Sequence, residues 1–285
     1  FDWISGDAMN ADDVAAAARG ASLIVHAVNP PGYRNWGRLV QPMLDNTIAA
    51  ARREGARIVL PGTVYNYGPD VLDDAAIAED APQNPVTRKG RIRVEMERRL
   101  EAAARAGTAR TLIVRSGDFF GPNARNNWFG QALVTPGRVP ERIVMPGRPG
   151  VGHQWAYLPD VADTMVRLLA TQGLDDFARF HMEGVWDADG RQMAEAIRWV
   201  LDRPDLPLKR FPWRLVRIAS PAVPLFRELA EMRYLWERPV RMGNDRLVAT
   251  LGAEPRTPID AAVRTTLAGL GCLEEAPGAA ASVPA

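Results

Sequence analysis

Residues 45–68, "DNTIAAARREGARIVLPGTVYNYG", hold a helix end, a stop and a strand in immediate succession. The Ala- and Arg-rich run closes a long helix read from about Trp36 to Glu54. Gly55 supplies the left-handed residue that commonly ends one. "RIVLPG" then reads as a buried strand, and residues 62–84 as a long polar loop. Upstream, "FDWIS" is strand-like as far as Gly6-Asp7, and Asn10 can cap a helix over "ADDVAAAAR" that Gly20 closes. "SLIVHAV" is a continuous apolar run of the kind that strands covered on both faces require, and a Pro-Pro-Gly loop follows it. Downstream, a helix over about 86–106 stops at Gly107 before the strand "RTLIVRSG". Strands and helices alternating in this way imply right-handed crossovers and a parallel sheet.

After Gly121-Pro122 the pattern loosens into short, proline-broken segments as far as about Gly152. A helix from Pro159 to about Thr171 follows, then a strand "ARFHME" and a helix from Arg191 to Leu201. Residues 204–242 are rich in Pro, Trp and Arg, with apolar positions at helical spacing around "VPLFRELAEMRYLW". They read as part of a smaller domain packed on the sheet. The last residues, 273–285, have too little to bury and are expected to form a disordered tail. No internal repeat is visible.

The 285 residues suffice for one large domain or a domain and a half. Apolar residues make up 47% and charged residues 24%, a globular balance. The net charge of +1 gives no general attraction to nucleic acid or to an anionic membrane, and no basic stripe stands out. No apolar run approaches the roughly 20 residues of a membrane helix. A lone cysteine, Cys272, rules out an internal disulfide and a cysteine zinc cluster, so no metal site is expected. A soluble protein of the cytoplasm is the default. Phe1 is not Met, and the chain opens at once in a strand-like segment, so a truncated N-terminus is expected.

Six stretches then stand in a telling order: "GDAMNADDV", "VHAV", the helix–strand segment 45–68, "LIVRSGDFFGP", "HQWAYLPDVADTMVRLL" and "LVATLGAEPRTPIDAAVRTTL". Together they resemble the extended short-chain dehydrogenase/reductase superfamily, the group named for NAD-dependent epimerases and dehydratases. The likeness runs from that family's third strand to its C-terminal helix. It implies an α/β fold: a Rossmann-type, doubly wound parallel sheet that binds NAD or NADP at the carboxyl ends of its strands, with a smaller C-terminal α/β substrate domain. Residues 1–120 and 153–182 would form the dinucleotide-binding part, and 121–152 and 183–272 the substrate side. The family's glycine-rich phosphate turn would lie in a first strand–helix–strand unit of roughly 50 to 60 residues upstream of Phe1. The residue that separates NAD from NADP would lie there too, so the two cofactors are not distinguished. Family members often pair through the 36–54 and 86–106 helices, which makes a homodimer the implied assembly.

The resemblance carries roles onto particular residues. Asp7, followed by Ala8, matches an Asp that accepts from the adenine amino group; the plainer reading is a turn or cap carboxylate. His26, Ala27 and Val28 match a strand end whose backbone runs along the pyrophosphate and ribose, with the His26 side chain read as structural. Asn46 matches a helix Asn that helps position the site. The substrate-orienting hydroxyl falls on Thr63 when Tyr67-Gly68 anchors the alignment, and on Pro61 when Val64-Tyr65 does; Thr63 is preferred. "RSGDFFGP", from Arg115 to Pro122, resembles the turn beside the nicotinamide, with Ser116 where Pro is usual and Asp118 where Asn is usual. Ser116 and Gly117 would flank the cofactor, and Asp118 and Phe119 the substrate. For Asp118 a turn-capping role is the preferred reading. His153 stands where nucleotide-sugar members carry a diphosphate-gripping Arg, and a mostly neutral imidazole has no fork for a phosphate. Arg142 or Arg148 could compensate. Phe119, Phe120, Trp128, Phe129 and Trp155 suggest an apolar pocket.

The family's catalytic Tyr-x-x-x-Lys falls on "KGRIR", with Lys89 at the Tyr position and Arg93 at the Lys position. Arg93 can keep the ribose contact, since it donates hydrogen bonds and stays charged. Lys89 as a general base needs its pKa to fall from about 10.4 toward 7, worth about 4 kcal/mol, by like-charge repulsion and burial. Tyr65 and Tyr67 are substitute phenols, and Tyr157 matches a structural Tyr. Two readings follow. One is an oxidoreductase, epimerase or dehydratase acting on a small hydroxyl or carbonyl compound. The other is a protein of the same fold that binds the dinucleotide without turning it over.

Overall fold

The computed structural model describes residues 2–30, 35–72, 76–221 and 223–273. In chain order, α1 (Ala11–Ala17) is capped by the Asn10 side chain, which accepts from the Asp12 N–H at 2.9 Å. It leads to β1 (Leu23–Val25), α2 (Trp36–Glu54) and β2 (Arg57–Thr63). Gly55 closes α2 at φ 66°, in the left-handed region that glycine enters without strain. A 3-10 turn, Val64–Asn66, follows β2. Then come α3 (Arg88–Arg105), β3 (Arg110–Ser116), β4 (Asp118–Phe120), a π-helical turn Phe129–Leu133 and β5 (Ile143–Met145). After β6 (His153–Tyr157), α4 (Leu158–Ala170), β7 (Phe177–His181) and β8 (Val185–Asp187), the chain ends in α5 (Gln192–Val200), β9 (Leu208–Arg210), α6 (Trp213–Ala219), α7 (Pro224–Glu231), α8 (Asp245–Leu251) and α9 (Ile259–Gly269).

The expected parallel sheet is present, in the order β1-β2-β3-β7. Its two faces follow the period of two along each strand. Ile58, Leu60 and Ile113 pack with Leu44 of α2 and Met96 and Leu100 of α3. Val59, Leu112 and Val114 pack on the other face with Val161, Met165 and Leu168 of α4. Helices on both faces make the sheet doubly wound. Each such aliphatic side chain, once fully buried, stabilises by roughly 1.5–3 kcal/mol. The second part of the molecule surrounds a three-stranded sheet, β4-β6-β8, and a β5-β9 pair. Its core joins Phe120, Phe129, Trp155, Ile197, Trp236 and Leu267.

Three expectations need correction or lie elsewhere. Residues 2–6 make no strand, and Trp3 is exposed. The run "SLIVHAV" yields only the three-residue β1, with Leu23 and Val25 facing solvent. Among the described residues it pairs with β2. The expected tail lies outside the described residues from position 274, whereas Leu273 packs against the core of the second part. The Pro-Pro-Gly loop also falls mainly outside them.

Candidate functional site

At the carboxyl ends of the parallel strands lies a cleft of about 630 Å3. Its walls bring together His26, Ala27 and Val28 after β1, Pro61 and Thr63 at the end of β2, and Tyr65 in the following turn. Lys89 and Arg93 of α3, Asp118 and Phe119 of β4 and Trp128 complete the set of expected residues found there. A second cavity, of about 370 Å3, holds Asp7 and Ala8 and shares His26 and Val28 with the first. Asp7 lines this second cavity, whereas Thr63 and Lys89 line the first.

α3 begins where Thr87 caps it, its hydroxyl accepting from the Gly90 N–H at 2.9 Å. Lys89 thus sits in the first turn, and it is buried. Gly90 permits this placement. A Cβ there would lie 2.4 Å from the Tyr65 carbonyl oxygen and 2.5 Å from Pro85, so helix and turn approach closer than any side chain allows. One turn on, the Arg93 guanidinium lies over the Trp36 ring, 5.2 Å from its centre. The Trp36 indole N–H donates to Asn29 at 2.7 Å.

His26 is buried beside them. The Thr47 hydroxyl donates to the Met43 carbonyl, so it accepts from His26 Nδ1 at 2.8 Å, which fixes the tautomer. Burial, and then the Arg93 charge, lower the His26 pKa to about 4. The imidazole is neutral, which agrees with a structural reading of its side chain. At the second cavity, Asp7 Oδ1 accepts from the Met9 N–H at 2.9 Å, the turn-capping geometry, while the residue still lines that cavity. Asn46 donates to the Ala8 carbonyl at 2.9 Å and pins this turn to α2.

Several expected residues lie elsewhere. The Tyr67 side chain is fully buried, outside the cleft, and its hydroxyl meets His181 Nε2 at 2.6 Å and the Arg115 guanidinium. Burial, opposed by Arg115, pushes its pKa up to about 12, and its hydroxyl is held in this interior network instead of facing the cleft. Ser116 and Gly117 are inside the fold and do not reach the cleft wall; a Cβ on Gly117 would meet the Gln154 carbonyl at 2.2 Å. His153 is buried behind the cleft, stacked on Trp236 with centroids 3.6 Å apart. Its Nε2 meets Asp118 Oδ2 at 2.9 Å. Asp118 is therefore held by an imidazole across 35 residues instead of capping a turn, and it does line the cleft. Neither Arg142 nor Arg148 reaches the cleft; Arg148 pairs with Glu237. Of the aromatic residues, Phe119 and Trp128 line it, whereas Phe120, Phe129 and Trp155 are core. Tyr157 is core as expected.

Sequence reasoning missed Asn126, Asn127 and Gln131, which add amide groups to the wall, and Leu229 and Met232 from the end of α7. The only signal for the amides was a polar run, "NARNNW", inside the irregular stretch after Pro122. It also missed the ion pair beneath the site, in which Glu97 accepts from Arg115 at 2.9 and 2.5 Å, both side chains buried.

Residues 2–177 match the model of the NAD dependent epimerase/dehydratase family. Among solved structures, a dTDP-glucose 4,6-dehydratase, DesIV, from Streptomyces venezuelae with NAD and TYD bound is 17% identical; the match covers 93% of this chain and 77% of that one at a TM-score of 0.70. RMD from Pseudomonas aeruginosa, complexed with NADPH, is 16% identical over 94% and 88% at 0.70. A UDP-glucuronic acid 4-epimerase from Bacillus cereus, in complex with UDP-glucuronic acid and NAD, is 13% identical over 95% and 81% at 0.71. At these identities the likeness is one of fold. No curated protein sequence matches significantly.

Proposed function

The chain belongs to the NAD dependent epimerase/dehydratase family, and we propose that its cleft takes NAD or NADP beside a small hydroxyl or carbonyl substrate. The observation that carries this reading is the convergence of the His26–Val28 strand end, Thr63, Lys89 and Arg93 on one cleft at the carboxyl ends of parallel strands. The cleft's volume is within the usual range for a ligand pocket, and the cavity holding Asp7 lies next to it, sharing His26 and Val28. The backbone at Ala27 and Val28 would run along the dinucleotide, Asp7 and Ala8 would border its adenine end, and Arg93 would hold the nicotinamide ribose. When bound, the cofactor supplies a hydride acceptor or donor. Thr63 orients the substrate oxygen, and Lys89 or the Tyr65 phenol takes or returns its proton. Lys89 is buried in the first turn of α3. Asp118 and Phe119 face the substrate, with His153 holding the Asp118 carboxylate in place.

A second reading, dinucleotide binding without turnover, draws support from the same pair. Lys89 and Arg93 stand where the family carries Tyr and Lys, and Tyr67 is sequestered in the interior. Substituting Lys89→Ala separates the two. On the enzyme reading, turnover falls by at least about a hundredfold while NADH or NADPH affinity changes little. Full activity in that variant removes the role given to Lys89. Turnover of any carbonyl substrate by the native chain, read as loss of reduced-nicotinamide absorbance, removes the second reading. The same proposal includes pairing of two copies through α2 and α3, and a cytoplasmic location in keeping with a lone, buried thiol at Cys272.

A further inference from the structure

We propose that α6 and the adjoining strand β9 form a docking surface for an anionic lipid bilayer. The near-neutral net charge conceals a strongly one-signed segment. Residues 206–226 contain Lys209, Arg210, Arg214 and Arg217 and no acidic residue, in a chain whose 35 basic and 34 acidic residues otherwise nearly balance. All four are exposed. None of them forms an ion pair with a described residue, whereas Arg98, Arg105, Arg167 and Arg256, also exposed, lie against carboxylates.

Apolar side chains stand among these cations. α6 buries Val216 alone and turns Leu215, 64% exposed, and Ile218, 73% exposed, to solvent. At a spacing of three these two share a face, and Arg214 and Arg217, also three apart, run beside them. Leu208 on β9 and Val223 after α6 extend the exposed aliphatic surface. A basic segment with exposed aliphatic side chains suits the headgroup region of an anionic bilayer, where the cations meet lipid phosphates and the aliphatic groups enter the acyl boundary. A symmetric contact with a second copy would set the four cations against themselves, which disfavours that occupant. The surface also communicates with the cleft. Trp213, the first residue of α6, packs on the cleft residue Trp128 with centroids 5.8 Å apart, and α7 sends Leu229 to the cleft wall. The inference does not depend on the dinucleotide reading.

The test is co-sedimentation of the full chain with vesicles of phosphatidylcholine alone and of an equal mixture with phosphatidylglycerol. The expected result is binding to the mixed vesicles only, weakened by added salt. The double variants Arg214→Glu/Arg217→Glu and Leu215→Ser/Ile218→Ser should each lower the partition coefficient by about tenfold or more, while Arg52→Glu/Arg53→Glu on the exposed end of α2 leaves it unchanged. Circular dichroism checks that each variant is folded; should one fail, Arg214→Gln/Arg217→Gln supplies the same readout. Absence of binding by the native chain overturns the proposal, as does equal loss in the α2 control. Self-association or binding to a polyacidic peptide that the α6 variants abolish, without vesicle binding, also overturns it and assigns the surface to a protein.

Discussion

Lys89, Arg93 and Glu97 follow one another at a spacing of four on α3, and so share one stripe of the helix, yet they meet opposite fates. The first two face the cleft. The third is sunk in the interior, where Arg115 binds it through two nitrogens and Asn66 donates to it at 2.8 Å. Around that ion pair the polar groups answer one another: Arg115 donates to the Tyr67 hydroxyl, Tyr67 meets His181 Nε2, and His181 Nδ1 donates to the Ile77 carbonyl at 3.1 Å. One helix face therefore changes over two turns from a wall for ligand to an anchor for the fold. Polar groups within an interior network serve stability, and those on a cavity wall stand ready for a ligand.

That contrast can be broken most forcefully at Glu97. Glu97→Ala leaves the fully buried Arg115 without its carboxylate, and stability should fall by about 3–5 kcal/mol in urea unfolding. A loss below about 1 kcal/mol would mean that the pair is not an anchor. Acid tests the buried histidines, His181 in the interior network and His26 at the cleft wall. Burial, and next the Arg115 charge, depress the His181 pKa to about 3, and that of His26 is about 4, both under the unfolded value near 6.5. Between these values the unfolded chain binds more protons than the folded one, so stability declines as pH falls from about 6.5 toward 4. Each histidine contributes a slope of up to about 1.4 kcal/mol per pH unit. His26→Asn should remove about one proton's worth of that slope, measured by urea melts at stepped pH.

Tyr67→Phe deletes only the hydroxyl shared by Arg115 and His181 and should cost about 1–3 kcal/mol while leaving cofactor binding unchanged. A loss of turnover out of proportion to stability would return Tyr67 to the reaction. On the cleft side, Arg93→Ala should shift the melting midpoint little and weaken NADH or NADPH binding by about tenfold, by fluorescence titration. The reverse result, lost stability with unchanged binding, would merge the two halves of the stripe.

How much of this was legible in the sequence depends on the range over which each feature is decided. The alternation of helix and strand, Gly55 as a stop and the order of six motifs are local, and they led to the parallel sheet and the family. Thr63, Lys89 and Arg93 follow from register within one motif, and the structure brings all three to the cleft. The fate of Tyr67 was hidden because it is settled by His181, 114 residues away. Asp118 looked like a turn cap because its partner His153 is remote in sequence, and nothing local marks the pair. The amides at Asn126, Asn127 and Gln131 sit in a stretch without periodicity, where sequence patterns have little to say.

The indole of Trp36, with a guanidinium over its ring, a hydrogen bond to Asn29 and a place on the cleft wall, gives the molecule an optical reporter of its own. Trp128 stands on the same wall, so two of the chain's eight tryptophans border the space a ligand would enter. A reduced nicotinamide there would absorb at the wavelengths these indoles emit, and energy transfer would register its arrival without any attached dye. A Trp36→Phe chain would then divide the quenching between the two indoles and turn emission into a ruler for where along the cleft the ring comes to rest.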